Sequence, residues 1–222
     1  MANKDLDALI AERIANGREY RDAREFRALD GAEDNSKVVE GYATTFSDPY
    51  VLWEEPGYRV LEQIAPDAFD GADMADVIMQ YDHAGRVFAR LSNNTLQLTT
   101  DEHGLRVRAD LGGTELGRQL YEEIRGGYTT KMSFAFRVAA DNRDVTEDLE
   151  TGDVTVLRTV TRVARLYDVS AVSLPANPAT TIAARNYGEG VIAEVKAERL
   201  RAEEEAKAIE ALRARIRIMA QA

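Results

Sequence analysis

The stretch VTVLRTVTRVARLYDVSAVSLPANP, residues 154–178, decides the fold. Valine and threonine dominate its first part, and an apolar run interrupted by two serines, residues 169–174, forms its second part. β-Branched residues favour extended backbone, so residues 154–167 are predicted to form one long strand or two short ones, followed by a further strand. Pro175 and Pro178 end this β-structure because proline cannot donate a ladder hydrogen bond.

Upstream segments rich in Val, Tyr, Thr, Phe and Ile predict further strands, most of them antiparallel. Turn residues at 93–94 and 102–104 make three of these strands a meander. Residues 50–57 are interpreted as a loop, in which Trp53 is a local anchor. The predicted strands cover residues 38–46, 58–64, 77–81, 87–91, 95–100, 105–111 and 131–138.

Helical spacing of apolar residues occurs in the middle of the chain and at both ends. Thr114 is the predicted N-cap of a helix that ends at Gly126-Gly127. Near the N-terminus the spacing covers residues 3–29, where Asn16-Gly17 interrupts or ends a helix. A C-terminal helix over 189–219 carries a 3-4-3 stripe that faces a partner helix or packs on the body. The stripe consists of Ile209, Leu212, Ile216 and Met219.

These patterns predict an α+β protein with a mostly antiparallel, β-barrel-like body surrounded by helices. The body covers residues 37–186. A helical N-terminal arm, residues 1–36, precedes it, and a charged C-terminal helix, residues 187–222, follows it.

Composition narrows the classes of function. The net charge of −11 on 222 residues repels phosphate backbones, so no nucleic-acid partner is expected. The chain has no cysteine, which excludes disulfides, a thiolate zinc site and a cysteine nucleophile. No apolar run approaches the roughly 20 residues of a membrane span, and no glycine-rich nucleotide motif occurs. The carboxylates at positions 54, 55, 67, 70 and 73 do not have calcium-loop spacing. We therefore expect a soluble, intracellular protein without cofactor, metal or membrane partner.

Hydrolytic chemistry has few candidate residues here. A serine nucleophile needs a base to take its proton and a group to orient that base. The chain has only two histidines, His83 directly after a predicted strand and His103 in a predicted turn. Ser133 lies in a strand whose neighbours Met132 and Phe134 point to the opposite face. Spacing alone leaves structural roles open for His83 and Ser133, because a triad is defined by geometry.

Ordered blocks of sequence carry a resemblance to a known family. They are Gly41-Tyr42-Ala43, Glu62 to Phe69, Gln80 to His83, Gly127 to Phe136, and Leu166 to Pro178. Together, from about residue 38 to residue 185, they resemble the prohead proteases of tailed phages, the capsid-maturation proteases related in fold to the herpesvirus assembly proteases. One departure is that an acid, Asp82, precedes the histidine, where the family usually has one after it.

The resemblance implies a catalytic residue set. His83 is the implied base, Ser133 the implied nucleophile, and Asp168 the implied third member of a triad. In the herpesvirus proteases the third member is a second histidine, for which His103 is the candidate here.

The resemblance also implies a function and a setting. It indicates a serine endopeptidase that cleaves scaffolding segments of capsid proteins, and itself, inside the procapsid that assembles in the host cytoplasm. Its implied partners are the major capsid protein and the scaffolding segments, and the herpesvirus relatives suggest a dimer. The alternative is a catalytically inactive scaffold or assembly protein that keeps the fold.

Overall fold

The computed structural model describes residues 12–23, 26–29, 37–173 and 178–220. Within these ranges lie eleven strands and two long helices, besides a helical turn at residues 12–15 and a 3-10 turn at Leu91–Asn93. The strands are β1 Glu19–Ala23, β2 Phe26–Ala28, β3 Val38–Thr45, β4 Tyr50–Glu55, β5 Tyr58–Ile64, β6 Ile78–Tyr81, β7 Ala84–Arg90, β8 Leu96–Thr100, β9 Gly104–Asp110, β10 Lys131–Glu147 and β11 Val154–Val172. The helices are α1 Glu115–Arg125, which Thr114 caps as predicted, and α2 Pro178–Ala220.

The long strand β11 organises the larger sheet. This seven-stranded sheet has the order β1-β10-β11-β5-β4, with β6 also paired to β11 and β7 to β6. One side of β11 pairs antiparallel with β10, while its two halves pair parallel with β5 and then with β6. Residues 154–172 of the opening stretch thus form one continuous strand, which pairs with β10 on one side and with β5 and β6 on the other.

The α+β class is confirmed, but the expected barrel-like body is not found. The second sheet has four strands in the order β2-β3-β9-β8, and neither sheet closes on itself over the described ranges. Core side chains come from both sheets, for example Leu105 and Val107 from the smaller sheet and Met79 and Phe134 from the larger one. The sheets remain open layers because the meander strands pair with one another while β5 and β6 pair with β11.

The N-terminal region differs from the predicted helical arm. Residues 12–15 are helical and Asn16-Gly17 turns the chain, with Gly17 at φ +78°, as the glycine signal indicated. The next residues extend, because β1 pairs with β10 and β2 with β3, and sheet pairing outweighs helical spacing. The apolar positions 6, 9 and 10 of the predicted helix lie outside the described residues.

The predicted loop at residues 50–57 is wrong, because most of it forms β4. Turn residues flank this segment, and its pairing with β5 shows only in the structure. Trp53 is an anchor, as expected: it packs in a cluster between β4, β5, β11 and α2. Gly188 lies so close to it that a Cβ at this position would overlap the Trp53 side chain.

Helix α2 begins earlier than predicted and has two parts. Ala184, Val191, Ile192 and Val195 are buried against β4, β5 and β11. Side chains after residue 196 are mostly exposed, so the apolar stripe does not pack on the body. No helix in the described part of the chain is long and apolar enough to cross a membrane. The division of the chain at residues 36 and 186 stays a prediction.

A buried ion cluster lies on the larger sheet. The carboxylate of Glu62 accepts from Arg21 Nε at 2.5 Å and from Arg158 Nη1 at 2.7 Å, and the Tyr50 hydroxyl donates to it at 2.5 Å. Glu19 supplies a second carboxylate to both arginines. Burial raises the pKa of Glu62, but the charges and hydrogen bonds of Arg21 and Arg158 outweigh it and lower the pKa to about 2.

Glu62→Gln is expected to destabilise the fold by about 3–5 kcal/mol, because it leaves two buried guanidinium groups short of countercharge. The folded pKa of Glu62 lies below its ordinary value of 4.5, so the ionised group stabilises the fold above pH 4.5. This contribution, about 3 kcal/mol, is lost as the pH falls from about 4.5 to about 2. Urea unfolding of both forms between pH 7 and pH 2 measures the two effects.

The matched control is Asp76→Asn, which breaks an exposed pair. Asp76 binds Arg90 through two hydrogen bonds of 2.8 and 2.9 Å, and both side chains are more than two-fifths exposed. Asp76→Asn should lower the free energy of unfolding much less than Glu62→Gln does, because water screens exposed ion pairs. Equal losses in the two variants would contradict the role assigned to the buried cluster.

Candidate active site

Ser133 lies in β10, on the face of the larger sheet opposite the main core. Met132, Phe134 and Phe136 are buried in the core between the sheets. Side chains alternate along a strand, so Ser133 and Ala135 point to the other face, as the sequence predicted. β10 has β11 on one side and β1 on the other, which holds the Ser133 backbone in a ladder on both sides.

His83 is placed by a tight turn between β6 and β7. Tyr81 pairs with Ala84, so Asp82 and His83 form a two-residue hairpin loop with φ angles of 49° and 57°. This matches a type I′ turn, in which glycine is favoured at the second position. Asp and His are among the non-glycine residues that adopt positive φ most readily, so both fit this turn. The Asp82 carboxylate holds the turn by accepting from the Ser173 backbone N–H at 3.0 Å.

Asp168 lies in β11 between β6 and β10. It is 1% exposed, and its register partners are Ile78 on β6 and Ala135 on β10. Its Oδ1 accepts from the Ser170 hydroxyl at 2.9 Å. Ser170 is 0% exposed and is thus a buried, hydrogen-bonded neighbour of this carboxylate.

The three implied triad residues meet in a chain of hydrogen bonds. His83 Nδ1 lies 2.5 Å from Asp168 Oδ1, and His83 Nε2 lies 2.7 Å from Ser133 Oγ. A carboxylate only accepts, so the proton lies on Nδ1 and leaves Nε2 to accept the Ser133 hydroxyl. This arrangement can deprotonate the hydroxyl and stabilise the resulting imidazolium.

His103, the alternative third member, lies elsewhere. It occupies the turn between β8 and β9, in the smaller sheet. Its ring packs edge-on against Tyr42, with centroids 4.5 Å apart, and its backbone N–H donates to Asp101. The structure therefore brings Asp168, and not His103, to the Nδ1 side of His83.

Three residues that lie near His83 and Asp168 were not predicted from the sequence to be part of this site. Arg13 Nη1 donates to the His83 carbonyl at 3.0 Å, and Arg18 Nη1 lies 3.9 Å from Asp168 Oδ2. The Tyr20 ring packs edge-on against the His83 ring, with centroids 4.8 Å apart. All three lie in the region predicted to be a helical arm, and only the β1–β10 register shows that this region reaches the triad.

The site is closed in this structure. Ser133 and His83 are 0% exposed, and Asp168 is 1% exposed. The side chains of Ser133, His83 and Asp168 therefore lie below the surface of the described chain. Among the described side chains, no group of three or more His, Asp or Glu could hold a metal ion.

A surface cleft lies far from these residues. It has a volume of about 750 Å³ and is lined by the β4–β5 and β10–β11 turns, including Glu55, Arg59, Glu147 and Asp153. Val154, at the start of β11, lines this cleft. Asp168 lies fourteen residues further along the same strand, a length of about 45 Å of extended backbone. The cleft is therefore not part of the triad site.

Comparison with known proteins agrees with the resemblance. The family model for the caudovirus prohead serine proteases matches residues 23–195, a range that includes Ser133, His83 and Asp168. Searches of curated proteins and of solved structures find no significant match. The match covers most of the chain, and it shows that the chain belongs to the caudovirus prohead serine protease family.

Proposed function

We propose that the chain is a serine endopeptidase that cleaves the scaffolding segments of capsid proteins, and itself, within the procapsid in the host cytoplasm. Family membership gives a protease role in phage prohead maturation. The observation that supports the finer proposal is the Ser133–His83–Asp168 chain of hydrogen bonds, with distances of 2.7 and 2.5 Å.

The proposed reaction follows from these contacts. Ser133 Oγ attacks the carbonyl carbon of the scissile peptide while His83 Nε2 takes the hydroxyl proton. His83 then gives this proton to the amine as the C–N bond breaks, which leaves an acyl group on Ser133. Asp168 keeps the Nδ1–H directed and stabilises the imidazolium in both steps. Water repeats the sequence, with His83 again as base, and releases the second product.

A second candidate is a scaffold or assembly protein that keeps the fold without catalysis. The complete burial of Ser133 and His83 favours it, because no peptide carbonyl reaches a buried hydroxyl. The intact hydrogen-bond chain favours the protease, because it joins a hydroxyl, an imidazole and a carboxylate in the order that a serine nucleophile needs.

Co-expression with the capsid protein that carries its scaffolding segment distinguishes the two. The masses of all chains are followed over time, with Ser133→Ala as the control. The proposal expects loss of the scaffolding segment, and of terminal residues of the protease, only with the unsubstituted chain. Identical masses in both samples, in procapsids of normal size, would favour the structural candidate.

For the partners, we propose that α2 binds an amphipathic helix with acidic flanks in the scaffolding segment. Ile209, Leu212, Ile216 and Met219 are 51–73% exposed and form one stripe along the helix. Arg213 and Arg215 flank it, one on each side. Acidic residues beside a partner's apolar stripe would complement these two arginines. Self-association of the chain stays a prediction.

Leu212→Asp is expected to weaken binding of the scaffolding segment about 10- to 100-fold, because it places a charge in the apolar seam. The matched control is Ala214→Asp, which adds the same charge to the opposite, exposed face of α2. Fluorescence anisotropy with the labelled scaffolding segment measures both. Equal binding by the two variants would rule out the stripe as the docking face.

A further inference from the structure

Ser133 and His83 are buried beneath other parts of the chain. A serine protease must bring its hydroxyl to a substrate carbonyl, within about 3.5 Å. Ser133 and His83 are nevertheless 0% exposed. The chain therefore contains its own occupant of the surface over the triad.

The segment of residues 12–20, here called the N-terminal cap, lies at this surface. Arg13 donates to the backbone carbonyl of His83 at 3.0 Å. Arg18 lies over the Tyr167 ring, 3.8 Å from its centroid, and 3.9 Å from the Asp168 carboxylate. Ile14 joins a small apolar cluster beside Ala135 on the outer face of the sheet. The cap therefore contacts the strands of the triad from the solvent side.

Tyr20 is the most deeply placed residue of the cap. It is 0% exposed, and its ring packs against the imidazole of His83. Burial raises the pKa of its hydroxyl above the ordinary value of 10.0, although the positive charges of Arg18 and Arg13 oppose this. Its register partner is Ala135, which shares a face of β10 with Ser133. An aromatic side chain of the chain itself thus lies beside the base.

Residues 12–18 of the cap are held by fewer buried contacts than Glu19 and Tyr20, which pair with β10 as part of β1. Residues 15–17 are exposed, and Gly17 at φ +78° separates the helical turn from β1. Arg13 is held by a hydrogen bond to a carbonyl, and Arg18 is partly exposed at 18%. Segments with few buried contacts open locally at a small cost in free energy.

We infer that the N-terminal cap is an intramolecular occupant of the substrate-binding surface, and that a polypeptide segment of the substrate takes its place when the cap opens. The inference rests on the proposed function, because it names where the substrate binds. The chain is then made in a closed form, and cleavage waits until the cap moves. Only residues 12–18 move in this opening, so the substrate would lie over His83 beside Tyr20, which stays paired in β1.

The absence of cysteine allows a direct test of access in the full chain. In Ser133→Cys, the single thiol reports on access through its reaction with Ellman's reagent, whether or not the chain is a protease. The thiol should react far more slowly in the folded chain than in urea. Adding Arg13→Ala and Arg18→Ala is expected to accelerate the reaction about tenfold, which corresponds to 1.4 kcal/mol in the opening equilibrium.

The direction of the change in thiol reaction rate distinguishes access from chemical reactivity. Removing two positive charges raises the free energy of the thiolate in Ser133→Cys, and this effect alone would slow its reaction with Ellman's reagent. A faster reaction in the substituted chain therefore reports easier access to the thiol and not a more reactive thiol. The matched control is Ala109→Cys, a 0% exposed position in β9 of the smaller sheet. Its thiol should not accelerate in the Arg13→Ala/Arg18→Ala background. Equal acceleration at both positions would indicate general loosening and overturn the inference.

Two further outcomes separate the inference from the proposed function. If the Ser133→Cys thiol reacts as fast in the folded chain as in urea, or if the arginine substitutions leave its rate unchanged, the cap is not an occupant. If access rises about tenfold but the unsubstituted chain, with Arg13 and Arg18 in place, cleaves no capsid protein in the co-expression assay, the cap stands and the protease function fails. A role of Arg18 in positioning Asp168 would instead lower cleavage without changing thiol access.

Discussion

Ser133→Ala is expected to lower the rate of cleavage of the scaffolding segment by about 10⁴-fold or more, to the background rate. The hydroxyl is 2.7 Å from His83 Nε2, and no other group in this contact can form the acyl intermediate. The substitution removes one oxygen atom and one buried hydrogen bond, at a cost of about 1–3 kcal/mol, so the variant should still fold. Single-turnover cleavage, followed by mass spectrometry, measures the effect, and the thermal unfolding midpoint shows that the variant is folded.

The matched control for this prediction is Ser170→Ala. Ser170 lies opposite Ser133 in the β10–β11 register, is equally buried and donates to Asp168. Its loss removes one hydrogen bond to the carboxylate, so the rate should fall about tenfold or less. If both variants lose activity to the same degree, Ser133 has no special role and the assignment of the nucleophile is contradicted.

Asp168→Asn is expected to lower the cleavage rate about 10⁴-fold while the fold remains intact. An amide nitrogen that faces His83 Nδ1 donates a hydrogen bond, which forces the proton onto Nε2. Nε2 then cannot accept the Ser133 hydroxyl, and no negative charge stabilises the imidazolium. Single-turnover cleavage and the unfolding midpoint again separate a catalytic defect from a loss of stability.

His103→Gln tests the alternative third member in the same assay. Because His103 contacts Tyr42 and Asp101 in the turn of the smaller sheet, its substitution should leave the cleavage rate within about twofold of the original. A large loss of rate with His103→Gln, together with an active Asp168→Asn chain, would reverse the assignment.

The pattern of neighbouring residues in the sequence predicted most of the strands in residues 37–186. The strand over residues 58–64 was predicted with the observed bounds, and the Thr114 cap was confirmed. Alternation along residues 131–136 also predicted the face on which Ser133 lies, since core and outer faces differ by one residue. These features depend on near neighbours in the chain, which the sequence contains directly.

Long-range pairing accounts for what the sequence did not predict. The strand β1 has charged and polar residues beside Tyr20, and its apolar neighbours upstream have helical spacing. Only the pairing with β10, more than a hundred residues away, makes it a strand and brings Tyr20 to His83. The buried cluster of Glu62 was missed for the same reason, because three strands supply Arg21, Glu62 and Arg158. The two parallel pairings of β11 are likewise long-range contacts that the sequence did not predict.

The most direct test of the central claim is covalent labelling with a fluorophosphonate under conditions in which the chain cleaves capsid protein. The reagent reacts with a serine only when a neighbouring base activates the hydroxyl. Peptide mapping by mass spectrometry should find one adduct, on Ser133, and His83→Ala should abolish it. An adduct on another serine, or an unlabelled Ser133 in a chain that cleaves, would contradict the account.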